Sequence, residues 1–365
     1  MIFYACLGID RRLPKRVFLP LTLFSSWAAV AMWPHSGMVS RESFGLTAAL
    51  LQVVLSVIVI ILLRGLGGRP LLTGAQFQAP MFSLRNTIGF TAINLLLTPF
   101  ILAYTGLAVT SYYLEDQTAG FLRLRPSGVP STAGNYHLED QEIRLAGMMH
   151  IGKEDYYEDL AKSIPTESTI ILAEGVSDQD HLLENPFSYG KLADVIGLTS
   201  QDKMRLDGNV VDLDSLDVID RIIHEPGKPD IARADIDLNR FEPKTIDFLN
   251  ALGRTLFGGK PFAEGLGEYN VWINDNMSEE GIAGVMFDII DKRNEAVIAG
   301  MVKTLKRYDT IIIPWGAMHM PAIEAAVLDQ GFAPGIARER LSLDFRTIPY
   351  AELWQKWSKH ASENL

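Results

Sequence analysis

Two histidines stand in matching local settings. His150 closes Gly147-Met148-Met149-His150, and His319 closes Gly316-Ala317-Met318-His319. Each motif follows an apolar-leaning run, Ile143–Ala146 in one case and Ile311–Trp315 in the other. Each reads as strand, glycine turn, histidine, then helix. A strand ending this way delivers an imidazole to the carboxyl edge of a sheet, where open α/β folds build their sites. Neutral imidazole is a good ligand for zinc, manganese, cobalt or iron, and a good general base near neutral pH. A lone histidine is more often structural than a ligand; two in one setting point to a site shared between two halves of a domain, able to hold one metal ion.

Other residues could join them. Glu174 directly follows the apolar strand Ile170–Ala173, so its carboxylate also belongs at a sheet edge. There it could complete a two-histidine metal site or take a proton from bound water. The plainer alternative is a solvated residue at a strand end. Arg293 and Asn294 lie in the helical stretch Asp291-Lys292-Arg293-Asn294-Glu295. The guanidinium could bind a substrate carboxylate or a developing oxyanion, or simply belong to an exposed charged face. Asp235 and Asp237 share one face if Ala234–Leu238 is a strand, and could then bind a cation; otherwise they cap a helix. His181 with Glu184 is half a zinc motif without a second histidine. The chain lacks His-Glu-x-x-His, a phosphate loop and a Gly-x-Ser-x-Gly elbow, which lowers the standing of zincin, nucleotide hydrolase and serine hydrolase readings.

The elements needed to position these residues lie in the acidic part of the chain. Hydrophobic residues make up 48% of the whole and charged residues 21%, with a sharp break near residue 112. Through residue 110 there are 8 Lys/Arg and 2 Asp/Glu; the remainder has 25 and 42. So acidic a domain is not expected to bind nucleic acid. Residues 113–136, with Pro126, Gly128, Pro130 and Gly134, read as a linker, and 137–365 as an α/β domain. Strands are expected at Ile143–Ala146, Thr169–Ala173, Asp309–Pro314 and Arg340–Ile348, and Ile231–Leu238 reads as another strand or a helix edge. Helices are expected at Asp155–Ser163, Tyr189–Ile196, Leu216–Ile223, Pro243–Leu256 and Ala322–Gln330, with a long helical stretch at Glu279–Tyr308 broken near Gly284 and a short helix after Pro349. The one cysteine, Cys6, allows no intrachain disulfide.

Residues 1–112 read as a membrane domain. The apolar runs 17–33, 44–63 and 87–110 are candidate spans; the second and third hold no charge over about 20 positions, the length a bilayer core needs. The first is shorter and holds Pro20. Arg11, Arg12, Lys15 and Arg16 precede the first run, and Arg64, Arg69 and Arg85 lie by the loop between the second and third. Arg41, Arg123 and Arg125 fall on the other side. That bias expects a cytoplasmic amino terminus and, after three crossings, an extracytoplasmic carboxy-terminal domain.

The ordered set of motifs resembles the TraB/GumN/Tiki family. Its members pair an early Gly-x-x-His with a strand ending in Glu, then an arginine–asparagine helix and a second Gly-x-x-His. Here these are Gly147–His150, Ile170–Glu174, Arg293-Asn294, and Ile311–His319 followed by Met320-Pro321-Ala322-Ile323, spanning about residues 143–331. Asp235-Ile236-Asp237 resembles an Asp-Arg-Asp stretch of some members, with Ile236 in place of the arginine. The three amino-terminal spans are not part of the family core. The resemblance implies an α/β fold of two related halves with both motifs facing one cleft. The Tiki branch implies a membrane-tethered, metal-dependent protease acting outside the cell. Other branches are linked to peptide-pheromone shutdown, and related folds include esterases and an iron- or haem-binding protein. The expectation is thus a membrane-anchored metallohydrolase acting on peptides or proteins. His150 and His319, with Glu174, would hold manganese, cobalt or zinc; Glu174 would alternatively take the proton of the bound water, and Arg293 would steady the oxyanion. A non-catalytic peptide- or haem-binding protein is the competing expectation, and a transport or signalling module with an outer sensor domain is a third.

Overall fold

In the computed structural model the protein is described over residues 2–28, 31–33, 40–64, 74–184, 193, 198–201, 204–217, 227–257 and 262–363. The expected helix at 189–196 and most of that at 216–223 lie outside these residues. The chain divides into two compact units, one of residues 1–114 and 123–126, the other of 115–122 and 127–365.

The first unit is helical: α1 (Ile2–Ile9), α2 (Lys15–Trp27), α3 (Arg41–Arg64), α4 (Gly74–Gln78) and α5 (Leu84–Gln117). Among the described residues, two helices are long and apolar enough to cross a bilayer, with spans at Glu42–Leu62 and Leu84–Gln117. Only 6% of each apolar window is buried. Leu50, Val53, Leu95 and Phe100 are each more than half exposed, the reverse of a soluble core helix. The first expected span differs: α2 has 13 residues with Pro20 inside it. At about 1.5 Å per residue, a helix of that length falls short of a hydrocarbon core of about 30 Å. The short helix α1, absent from the sequence reading, is held to α5 by Tyr4 Oη donating to Asn94 and Asn86 donating to the Gly8 carbonyl.

The second unit is built on one mixed sheet. Its elements are β1 (Gly128–Leu138), β2 (Gln141–Met148), β3 (Ile151–Gly152), α6 (Glu154–Lys162), β4 (Thr169–Ala173), β5 (Thr199–Ser200), β6 (Asn209–Val210) and β7 (Asp230–Arg233). There follow α7 (Pro243–Phe257), α8 (Phe262–Asn276), α9 (Glu279–Met286), α10 (Lys292–Thr304), β8 (Thr310–Gly316), α11 (Met320–Asp329), β9 (Ala333–Pro334), β10 (Arg338–Asp344) and α12 (Tyr350–Glu363). The main sheet runs β10-β1-β2-β8-β4-β7-β6, with β9 also on β1. From β2 to β6 the strands are parallel; β1 pairs antiparallel with β2, β9 and β10. Ile311, Ile312 and Ile313 are successive in β8 and all fully buried. Successive side chains point to opposite faces, so both faces of this strand are covered, as a parallel sheet requires. Helices α10 and α11 contact each other, α10 against β4 and α11 against β2.

Three expectations are corrected here. Residues 128–136 are not linker but most of β1. The glycine and proline that suggest a linker have strand roles: Gly128 has φ +147, and a Cβ there would collide with the Leu343 carbonyl. Pro130 sits where the β1–β10 register shifts, at a bulge that tolerates a residue without an N–H. The break in the long helix falls not at Gly284 but at a π-helical turn, Phe287–Asp291, just before Arg293. Ile231–Leu238 is a strand only as far as Arg233 and reaches a 3-10 turn at Leu238–Arg240.

Candidate functional site

Four adjacent parallel strands, β2, β8, β4 and β7, end at the same edge of the sheet. The residues just beyond their ends are, in that order, His150, His319, Glu174 and Asp235. This is the carboxyl edge where such sheets place ligands. Arg293, in the first turn of α10, reaches into the same cluster.

The glycines of the two motifs serve space rather than a turn, since neither has a positive φ. They are also not equivalent. Gly147 pairs with Trp315 across β2 and β8, and Met148 with Gly316, so the motifs sit out of step by one residue. A Cβ on Gly147 would strike the Phe121 side chain. A Cβ on Gly316 would stand in the site itself, 3.4 Å from His150 Nε2, 3.5 Å from His319 Cδ2 and 3.6 Å from Glu174 Oε1. The absent side chain of Gly316 therefore leaves the point on which both imidazoles and the carboxylate converge.

Each imidazole is oriented from behind. Nδ1 of His150 donates to Gln201 Oε1 at 2.8 Å, which directs its Nε2 toward Gly316. Gln201 is itself clamped, its backbone N–H donating to the His150 carbonyl beside the β3–β5 pairing. Nδ1 of His319 faces Asn294 Oδ1 at 2.8 Å, and its Nε2 lies 3.3 Å from Nη1 of Arg293. A guanidinium only donates, so Nε2 accepts and the proton sits on Nδ1. Burial, followed by the adjacent guanidinium, pushes the His319 pKa down to about 4 and keeps the ring neutral.

Arg293 ties the acidic members together. It donates to Glu174 Oε1 from Nη2 at 2.7 Å, and to Asp235 from Nη2 at 2.7 Å and Nε at 3.0 Å. Its guanidinium also lies over the Trp315 ring, 5.3 Å from the centroid. The second Glu174 oxygen accepts from the Gly316 N–H at 2.7 Å. Burial opposes ionisation of Glu174, yet Arg293, the two imidazoles and the Gly316 N–H hold its carboxyl below the ordinary value. Burial likewise works against the charge on Arg293, and its two carboxylates outweigh it. The side chains of Glu174 and Asp235 are only 5% and 0% exposed, so each depends on this cation.

Asp237 is not part of the cluster. Its carboxylate accepts from Ser177 Oγ, from the Gln179 N–H and from the Asn239 N–H, capping the 3-10 turn. The two aspartates therefore serve different ends, because the strand stops before them. Among the residues the sequence did not single out, Gln201 is the main addition to the site; it lies in no motif.

Imidazole nitrogen and carboxylate are donors that a divalent ion accepts in kind. The arrangement is less suited to one. Glu174 Oε1 and His319 Nε2 lie 3.7 Å apart, and Arg293 already stands against both. Among the described residues, no three His, Cys, Asp or Glu side chains are grouped to hold a metal.

The cluster floors a cleft of about 830 Å³. His150, Glu174 and Arg293 line it, as do side chains of α7, including Phe248, Leu249 and Leu252. No family model, curated protein or solved structure matches the chain.

Proposed function

We propose that the second unit is a hydrolase of peptide or related carbonyl bonds, anchored to a lipid bilayer through the apolar helices of the first, and akin to TraB/GumN/Tiki proteins. The observation that carries this reading is the convergence of His150 Nε2, His319 and Glu174 Oε1 on the point left open by Gly316. A water beside that point, clear of the Gly316 Cα, has an imidazole nitrogen to take its proton, a role typically worth 10²–10⁴-fold in rate. His150 acts as the base, held in its tautomer by Gln201. Arg293, pinned by Glu174 and Asp235, presents a fixed positive charge to the oxyanion; one such donor is worth roughly 2.7–4 kcal/mol. His319 stays neutral and holds Arg293 in place.

A second reading keeps the divalent metal, manganese, cobalt or zinc, on His150, His319 and Glu174. It requires Arg293 to leave Glu174. The two readings separate in one experiment on the full chain in lipid nanodiscs, digesting a peptide library with and without chelator. Chelator-resistant cleavage that is lost in His150→Ala supports the imidazole base. Cleavage that returns only on adding manganese, cobalt or zinc supports the metal. Stoichiometric peptide or haem binding with no products overturns both in favour of a sequestering protein.

The proposed placement has the amino terminus in the cytoplasm and the second unit outside. With α3 and α5 as spans, that placement needs a third crossing by the segment containing α2. Protease accessibility of the second unit in sealed right-side-out vesicles decides it: digestion only after lysis reverses the assignment.

A further inference from the structure

The cleft is lined by polar groups, His150, Glu174 and Arg293 at the sheet edge with Asp178, His181 and Gln201. It is also lined by an apolar wall on α7, which offers Phe248, Leu249 and Leu252 on one side, together with Phe241 and Ile289. Apart from Phe241, these side chains are half-buried rather than closed in a core. Phe248 packs edge-on against Tyr269, ring centroids 5.8 Å apart. Leu249 and Ile289 rest on the buried cluster of Ile236, Leu238 and Phe241, so this part of the wall is backed by packed core. About 830 Å³ is far more than a water and a scissile bond occupy.

We infer that the cleft takes a two-ended substrate, with its carbonyl over Gly316 and an aliphatic or aromatic arm laid along α7 against Phe248, Leu249 and Leu252. For turnover this rests on the hydrolase reading; for binding it stands apart from it. Each methylene that moves from water onto such a wall is worth about 0.8 kcal/mol, or about fourfold. Binding energy from an arm remote from the reacting bond also helps to orient that bond.

The test uses the full chain in nanodiscs and N-acyl dipeptide amides whose acyl chain grows from acetyl to octanoyl. Turnover is followed by mass spectrometry. In parallel, an octanoyl analogue bearing a diazirine at the chain end maps the bound arm by photo-crosslinking. The expected result is a kcat/KM that rises about fourfold per methylene, with cross-links on α7. In Leu252→Ser that slope flattens; Phe248→Leu, which keeps the wall apolar, retains most of the slope. Turnover without chain-length dependence, or labels away from α7, overturns the inference and leaves the hydrolase standing. Labels on α7 with no turnover of any compound support the apolar arm and overturn the hydrolase. Neither label nor turnover overturns both.

Discussion

The backbone N–H of Gly316 donates to Oε2 of Glu174 at 2.7 Å, joining the end of β8 to the residue that follows β4. This leaves Oε1 facing Arg293 and the point where a Gly316 side chain would stand. One backbone group thus both orients the carboxylate and, by lacking a Cβ, leaves room above it.

Gly316→Ala should fold and be inactive. Its φ of −50° and ψ of 134° suit alanine, and the new methyl would lie 3.4–3.6 Å from its nearest neighbours, within ordinary contact. The methyl crowds the place proposed for the attacking water. Thermal unfolding should match the parent, while cleavage falls by at least about 100-fold. A variant that keeps full activity would remove the water from this point.

Arg293→Met should destabilise the second unit by about 3–5 kcal/mol, because it strands two buried carboxylates. Arg293→Lys restores charge without the planar fork that reaches Glu174 and Asp235 together, and should recover only part of that loss. Denaturant titration followed by tryptophan fluorescence measures both. A neutral Arg293→Met would mean the ion pairs contribute nothing to the fold.

Acidification should weaken the second unit in two stages. His319 has a folded pKa of about 4 against an ordinary value of 6.5, so the unfolded chain binds the extra proton first. Stability from this group is therefore intact above about pH 6.5 and falls as pH drops toward 4. Glu174 is depressed below 4.5, so its share is present above that value and is lost as pH falls through its folded pKa. Urea midpoints measured between pH 7 and pH 4 should decline steadily. His319→Asn removes the upper stage; an unchanged profile in that variant would assign the decline to other groups.

Gly128→Ala and Gly331→Ala should differ. Both glycines have a positive φ, but a Cβ at Gly128 meets the Leu343 backbone while at Gly331 nothing lies within 4 Å. The strain at Gly331 alone should cost about 1–2 kcal/mol. At Gly128 the clash falls on the β1–β10 pairing and should cost more, about 3 kcal/mol or above. Equal shifts in unfolding midpoint would mean that β10 yields freely at this edge.

Much of the second unit could be read in one dimension, because local patterns there agree with the fold. The apolar runs at Thr169–Ala173 and Asp309–Pro314 are strands, and Pro243–Leu256 and Ala322–Gln330 are helices to within a few residues. Period and run length carry such information without any long-range contact. The two long apolar helices were legible for the same reason. His150, His319 and Glu174 could be singled out because each sits at a strand end, and such ends gather at one sheet edge; Arg293 stood out only within a charged helical stretch and through the resemblance.

What folding in three dimensions decided was which of these residues meet. Arg293 reached Glu174 and Asp235 because a π turn precedes α10, a change of helical phase that no residue type announces. Asp235 joined the cluster and Asp237 did not, because β7 ends at Arg233 and the chain then bends to be capped by Asp237. Gly128 and Pro130 have the composition of a linker and the position of a bulged strand, a distinction made only by the partner β10. Gln201 supports His150 through a hydrogen bond across 51 positions of chain. Periodicity reports on neighbours within a few residues; pairing, helical phase and side-chain bonds between distant segments depend on contacts that exist only once the sheet has assembled.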